Sequence, residues 1–233
     1  MLIRKTHSVA SDGKGEGIAM PNVHRRTFLK YAGMGAAILT AGSISSCSSD
    51  DDDDGTGVSL GNGDVAVLNY AFALEQLEAA FYTQVVATPY SGISAVELDL
   101  LTDIRNHEIA HREFFKKALA GSAIPSLAVD FSTVNFTSRD SVLATAKAFE
   151  DLGVSAYNGA GRYIKTADYL VLAGKIVSVE ARHAALIRDL ISNGSFATDT
   201  DANGLDYVRT PAEVFAIAGT YIKTVINANT LPK

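Results

Sequence analysis

Four stretches of this chain have helical periodicity, and each has a glutamate in the middle of its apolar stripe. The stretches are residues 64–87, 94–120, 139–160 and 166–193. Such a stripe buries one face of a helix against neighbouring helices. An ionised, unpaired carboxylate in that position costs several kcal/mol. Four of them would cancel most of the roughly 5–15 kcal/mol by which a domain is stable. The chain can therefore bury these faces only if something neutralises the glutamates.

The lengths of the connections predict how the four helices are arranged. The first and third connections are short, which is typical of antiparallel hairpins. The second, GSAIPSLAVDFSTVNFTS at residues 121–138, has 18 residues and is long enough to cross the length of a bundle. Two hairpins joined by one long crossover make an all-α four-helix bundle. We expect this fold over residues 64–193.

Local signals predict where the elements begin and end. Asp64 and Ser94 are expected to be the N-caps of the first and second helices, and Gly121 is expected to end the second helix. Residues 194–209 are predicted to form an irregular loop. Residues 211–226 are predicted to form one additional short helix.

The bundle core contains ligand-type side chains that recur in two halves of the sequence. The stripe residues of this kind are Glu75, Glu108, His111, Glu150, Glu180 and His183. In each half, a glutamate is followed by a tyrosine seven residues later. An E-x-x-H sequence comes next, and it begins 33 residues after the first glutamate in one half and 30 residues after it in the other. Two divalent cations would neutralise the carboxylates directly and would explain why histidines accompany them.

The second helix contains HEIAH, residues 107–111, which also matches the H-E-x-x-H signature of zinc proteases. Glu108 and His111 continue the apolar stripe, whereas His107 falls on its flank. In the second half, Val179 precedes Glu180, so the repeated element is E-x-x-H. The zinc-protease interpretation is therefore rejected. For His107 we favour an exposed flank over a role beside the ligands.

The segments LNYAFALEQLEAAFYTQ, HEIAHREFF and VEARH resemble the ferritin-like superfamily, in particular the ferritin-like-domain family that includes desiccation-related proteins. The resemblance covers residues 64–193 and implies a carboxylate-bridged pair of metal ions, with iron favoured and manganese as the alternative. It implies the following ligands: Glu75 and Glu150 each bind one metal, Glu108 and Glu180 bridge, and His111 and His183 bind one metal each.

Three further stripe residues lie beside these predicted ligands. Tyr82 and Tyr157 are placed to hydrogen-bond the ligand carboxylates, although ordinary core tyrosines would give the same pattern. Glu78 departs from the repeat, because its counterpart in the second half is Gly153. It is an additional ligand, an alternative to Glu75, or a carboxylate that faces a channel. We favour Glu75 as the ligand because its distance in sequence to Tyr82 equals that of Glu150 to Tyr157.

Residues 1–46 are predicted to be an export signal and not part of the fold. Paired arginines, Arg25 and Arg26, begin the stretch RRTFLK, which resembles the twin-arginine signal. The apolar segment that follows, at about 31–44, is shorter than the roughly 20 residues of a membrane span. A basic cytoplasmic tail is the alternative interpretation.

Cys47, the only cysteine, ends the sequence ISSC, which resembles a bacterial lipobox. Lipidation there would anchor the mature chain to the cell envelope, on the periplasmic side or at the cell surface; a free thiol is the alternative. Residues 47–63, rich in aspartate and glycine, are predicted to be a flexible acidic tether.

Charge argues against nucleic acid as a partner. The chain has a net charge of −6, and removal of residues 1–46, which hold six basic and two acidic residues, would bring it to −10. No basic cluster is present in the sequence. The predicted function is redox chemistry with dioxygen, hydrogen peroxide or ferrous iron at a di-iron or di-manganese centre. The alternative is a non-catalytic structural or stress-protective envelope protein, and homo-oligomerisation is left open.

Overall fold

The computed structural model describes residues 57–231, and almost all of its regular structure is helical. In chain order the elements are β1 Val58–Ser59, α1 Gly63–Ala87, α2 Ala95–Leu119, α3 Arg139–Ala160, α4 Ala167–Ile191, α5 Pro211–Ala218 and β2 Ile226–Asn227. The predicted all-α bundle is confirmed. The predicted export signal, Cys47 and most of the predicted tether lie outside the described residues. Within the described residues, no helix is long and apolar enough to span a membrane.

The four long helices form two hairpins, α1 with α2 and α3 with α4, and the hairpins meet mainly where α1 packs against α3. Two buried amides on α1 hold the start of the crossover against it. Asn69 Nδ2 donates to the carbonyl of Ser122 at 2.8 Å, and its Oδ1 accepts from the backbone N–H of Ile124 at 3.0 Å. Gln76 Oε1 accepts from the N–H of Leu127 at 2.9 Å. These bonds satisfy polar groups that burial would otherwise leave unpaired.

Aromatic packing makes the crossover part of the core. Phe131 and Phe136 of this segment lie against Phe81 of α1, with ring centroids 5.8 and 5.9 Å away. Phe81 also meets Phe149 of α3 edge to face, with centroids 5.1 Å apart. Such contacts add about 0.5–1.5 kcal/mol per pair beyond area burial. The crossover therefore joins the two hairpins along its length.

One predicted N-cap is confirmed and the other is corrected. The Ser94 hydroxyl accepts from the N–H of Glu97, as an N-cap of α2 should. Asp64 instead lies in the first turn of α1. Its carboxylate accepts from the backbone N–H groups of Lys165 and Thr166, both at 2.9 Å, where the chain enters α4. It therefore links the two hairpins.

The predicted ends of two helices also need correction. Helix α2 ends at Leu119, and Ala120, with φ 49°, turns the chain before Gly121 is reached. Helix α5 ends at Ala218, well short of residue 226, because the chain turns at Gly219 and then runs to β2. The start of α5 has a capping box between Thr210 and Glu213.

The predicted tether ends earlier than residue 63. Strand β1 pairs in parallel with β2, with Val58 opposite Ile226, and Leu60 is fully buried. Two apolar residues are too few to show a period in the sequence. Residues 57–62 therefore belong to the folded domain.

Candidate metal centre

The six predicted ligand residues converge at the middle of the bundle. Each of the four long helices contributes at least one of them, because the stripe positions of all four face the same interior. The four glutamates are fully buried and His183 is nearly so, whereas the side chain of His111 is 13% exposed. The apolar stripe residues above and below them form the core.

The six residues form two groups that share two members. One group is Glu75, Glu108, His111 and Glu180, and the other is Glu108, Glu150, Glu180 and His183. Within each group, one ligand-type atom from every residue lies within 4.8 Å of the others. The shared members are the two E-x-x-H glutamates. Within the described residues, Glu78 belongs to neither group.

Each shared glutamate turns one oxygen to each histidine. His111 Nδ1 lies 3.5 Å from Glu108 Oε2 and 2.9 Å from Glu180 Oε1. His183 Nδ1 lies 2.8 Å from Glu108 Oε1 and 4.0 Å from Glu180 Oε2. The unshared glutamates complete the groups. Glu75 Oε2 is 3.4 Å from His111 Nδ1, and Glu150 Oε2 is 3.5 Å from that of His183.

The directions of these atoms fit a metal ion better than they fit hydrogen bonds. Among residues 57–231, no hydrogen-bond partner is found for the two buried histidine Nδ1 atoms, both oxygens of each shared glutamate, and one oxygen each of Glu75 and Glu150. Buried polar groups normally have one. Donor atoms about 2.1 Å from one ion, at right angles, are about 3 Å apart. Five of the six nitrogen–oxygen distances lie between 2.8 and 3.5 Å, which is close enough for the residues to fit two metal ions.

The pKa shifts show how much charge the core holds. Burial raises the pKa of Glu75 to about 7. Burial, and then the charge of Glu108, raises the pKa of Glu180 well above its usual range. The pKa of Glu108 would also rise on burial, but contact with both histidines lowers it to about 2. Burial alone would lower the pKa of the imidazoles, yet the carboxylates raise that of His111 to about 12 and that of His183 to about 10. Without metal, protons neutralise the core, and metal binding must displace them.

The family comparison agrees with this arrangement. The model of the ferritin-like domain family matches residues 63–193, more than half of the chain and the whole of α1–α4. The chain belongs to the ferritin-like domain family. A search of the curated proteins found no match to it.

The two tyrosines of the ferritin-like domain cross between the halves of the repeat. Tyr82 of α1 donates its hydroxyl to Glu150 Oε1 of α3 at 2.5 Å. Tyr157 of α3 donates to Glu75 Oε1 of α1. Each tyrosine therefore binds one oxygen of the unshared glutamate on the other hairpin. The second oxygen of that glutamate faces a histidine. The sequence predicts the hydrogen bonds but not the exchange of partners.

Glu78 occupies the space that Gly153 leaves free. A Cβ at Gly153 would lie 3.1 Å from Glu78 Oε1 and 3.5 Å from Glu180 Oε2. Burial, and then the charge of Glu180, raises the pKa of Glu78 well above its usual range. Glu78 Oε1 therefore lies beside Gly153 together with Glu180 Oε2, the oxygen that is 4.0 Å from His183 Nδ1.

His107 lies on the exposed flank of α2, as predicted, but it also contacts the centre. Its Nδ1 is 2.9 Å from Nε2 of His183, the nitrogen that faces away from the carboxylates. The heptad phase of α2 alone does not indicate this contact, because it depends on how close α2 and α4 approach.

Proposed function

We propose that this ferritin-like domain binds two metal ions, iron or manganese, and uses them for redox chemistry with dioxygen or hydrogen peroxide. The observation that supports this is the pair of overlapping groups, in which two glutamates are shared and the facing atoms have no hydrogen bond to any residue that the structure describes. Carboxylates with one imidazole per position suit iron and manganese. The terminal ligands are Glu75 with His111 and Glu150 with His183, and the bridging ligands are Glu108 and Glu180.

The protein residues contribute position and charge to such a reaction. Glu108 and Glu180, which both groups share, would hold two cations close together, and their negative charge would favour higher oxidation states. Tyr82 and Tyr157 fix the terminal carboxylates through hydrogen bonds. The apolar residues around the cluster limit the entry of water. When bound, a pair of redox-active metals supplies the electrons that reduce a small oxidant.

Metal content and reactivity test the proposal. Protein isolated from its native envelope should contain about two redox-active metal ions per chain, as the two groups require. Its optical spectrum should change when peroxide or oxygen is added to the reduced form. Folded protein without metal, and without affinity for ferrous or manganous ion, would instead support a structural or stress-protective role.

The same proposal places the protein in the cell envelope, with Cys47 as its lipid anchor. Support comes from the RRTFLK and ISSC stretches of the sequence. Replacing Arg25 and Arg26 with lysine should leave the precursor in the cytoplasm, whereas Arg4→Lys, outside the stretch, should not. Cys47→Ser should release the folded domain from the membrane fraction. A Cys47→Ser protein that remained bound to membranes would show that the apolar segment is an uncleaved anchor.

Glu78 should make the two metal positions unequal. Its carboxyl group adds negative charge on the His183 side, and a bound cation favours its ionised form. We expect two separated binding steps when metal-free protein is titrated with manganous ion. Glu78→Gln keeps the shape but removes the charge, so it should weaken the tighter step by on the order of tenfold.

The exposed glutamate Glu113 provides a matched control for this prediction, since Glu113→Gln makes the same chemical change outside the core. Glu113→Gln should leave the affinities of both binding steps unchanged. Two equal steps in the unmodified protein, unchanged by Glu78→Gln, would show that Glu78 only fills the space beside Gly153.

A further inference from the structure

His107 and His183 meet edge to edge. Their ring planes differ by 12° and their centroids are 5.1 Å apart, whereas the facing nitrogens are only 2.9 Å apart. Rings stacked face to face cannot bring two nitrogens this close without a clash. The rings therefore lie nearly in one plane, with the nitrogens at the facing edges. This is the geometry of an N–H···N hydrogen bond.

The chemistry of His183 sets the direction of that bond. Its Nδ1 faces Glu108, Glu150 and Glu180, so this nitrogen is the one available to a metal. The proton of a neutral His183 then lies on Nε2, which donates to Nδ1 of His107. Ligand histidines commonly have such a partner on the second nitrogen, and it fixes both tautomer and ring orientation.

An acceptor role requires His107 to be neutral. A neutral imidazole with its proton on Nε2 leaves Nδ1 free to accept. The remaining edge of His107 is exposed to solvent.

The other half of the repeat lacks this partner. The position that corresponds to His107 on α4 is Val179, which has no polar side-chain atom. His111 contacts carboxylates through Nδ1. In the part of the chain that the structure describes, its Nε2 has no hydrogen bond like the one between His183 Nε2 and His107. The two histidine ligands are therefore supported unequally.

We propose that His107 is a positioning residue for His183 and that it makes the metal position of Glu108, Glu150, Glu180 and His183 the tighter of the two. The inference rests on the proposed di-metal function. It also gives the first histidine of HEIAH a role, since this residue supports a ligand on α4 while the E-x-x-H part of the same helix supplies ligands directly.

Two substitutions separate the hydrogen bond from simple packing. His107→Asn keeps an acceptor, because the side-chain oxygen of asparagine occupies nearly the place of Nδ1. His107→Leu keeps bulk but removes the acceptor. Val179→Leu is the control at the corresponding position of the other half. Position 107 is exposed, so both His107 variants should fold.

The measurement is a calorimetric titration of the metal-free full chain with manganous ion. His107→Leu should weaken the tighter step by about 10- to 100-fold, the usual effect of losing such a partner, and should leave the weaker step unchanged. His107→Asn and Val179→Leu should stay close to the unmodified protein. In zinc-loaded protein, the Nε2 proton of His183 should exchange slowly in the NMR spectrum, and much faster in His107→Leu.

Three outcomes would overturn the inference: both steps unchanged in His107→Leu, both weakened equally, or His107→Asn as weak as His107→Leu. Each of them leaves the di-metal proposal intact, because the unmodified protein still binds two ions. Failure of the unmodified protein to bind a metal pair would overturn the proposed function itself.

Discussion

Replacing Glu108 and Glu180 together with alanine should abolish the binding of a metal pair. Each of these residues contributes one oxygen to each group, so the double substitution removes two of the four residues from both positions. What remains at each position is one glutamate and one histidine, too few to hold an ion that prefers four to six ligands. Because two ligands per position are too few, we expect the number of bound manganous or ferrous ions to fall from about two per chain to none.

The matched control is the pair Glu113→Ala and Asp168→Ala. These residues lie on the same two helices, are exposed, and give the same change in net charge. The control should bind two ions like the unmodified protein. Circular dichroism of both variants establishes that they are folded. A folded Glu108→Ala, Glu180→Ala variant that still binds two ions tightly would refute the ligand assignment.

Replacing Gly159 with alanine should destabilise the domain and detach its C-terminal segment. A Cβ at this position of α3 would overlap the carbonyl oxygen of Arg209, which is backbone and cannot rotate away. Arg209 is also fixed there, since its N–H donates to the Ser155 carbonyl at 3.1 Å and its guanidinium to the Ser155 hydroxyl at 2.6 Å. Overpacking of this kind costs about 1–3 kcal/mol.

Thermal unfolding measures the effect. For a chain of this size each kcal/mol lowers Tm by about 2–4 °C, and limited proteolysis should cut near residue 209 first. Gly174→Ala is the control, because a Cβ there meets nothing within 4 Å. On an exposed helix it should raise stability by about 0.5–1 kcal/mol. Equal stability of the two variants would show that residue 209 does not pack against α3.

Residue spacing alone was enough to predict the helical bundle and the set of facing residues. The helical period is local, so the stripe of each helix can be found without knowledge of its neighbours. Glutamates at these positions are tolerated only where they are neutralised. Because Glu108–His111 and Glu180–His183 repeat the same element, the two halves could be aligned, and all six residues do lie together.

The predictions that were wrong concern residues whose partners are distant in sequence. Asp64 precedes a helix and resembles a cap, but its carboxylate is used at Lys165 and Thr166. Val58 and Leu60 are too few to show a period, yet Val58 pairs with Ile226 in a strand that is distant in sequence, and Leu60 is fully buried. In each case the partner is distant in sequence, so no local pattern can indicate it.

The amino-acid sequence by itself determined the four helices, their core faces and the order of the carboxylates and imidazoles, because these depend on periods of three and four residues. Only the tertiary structure decided the contacts between helices. Tyr82 bonds to Glu150 instead of to its own hairpin, and His107 reaches His183 across 76 residues. Such pairs depend on the distance and rotation between packed helices, which are set by the whole core and not by any one segment.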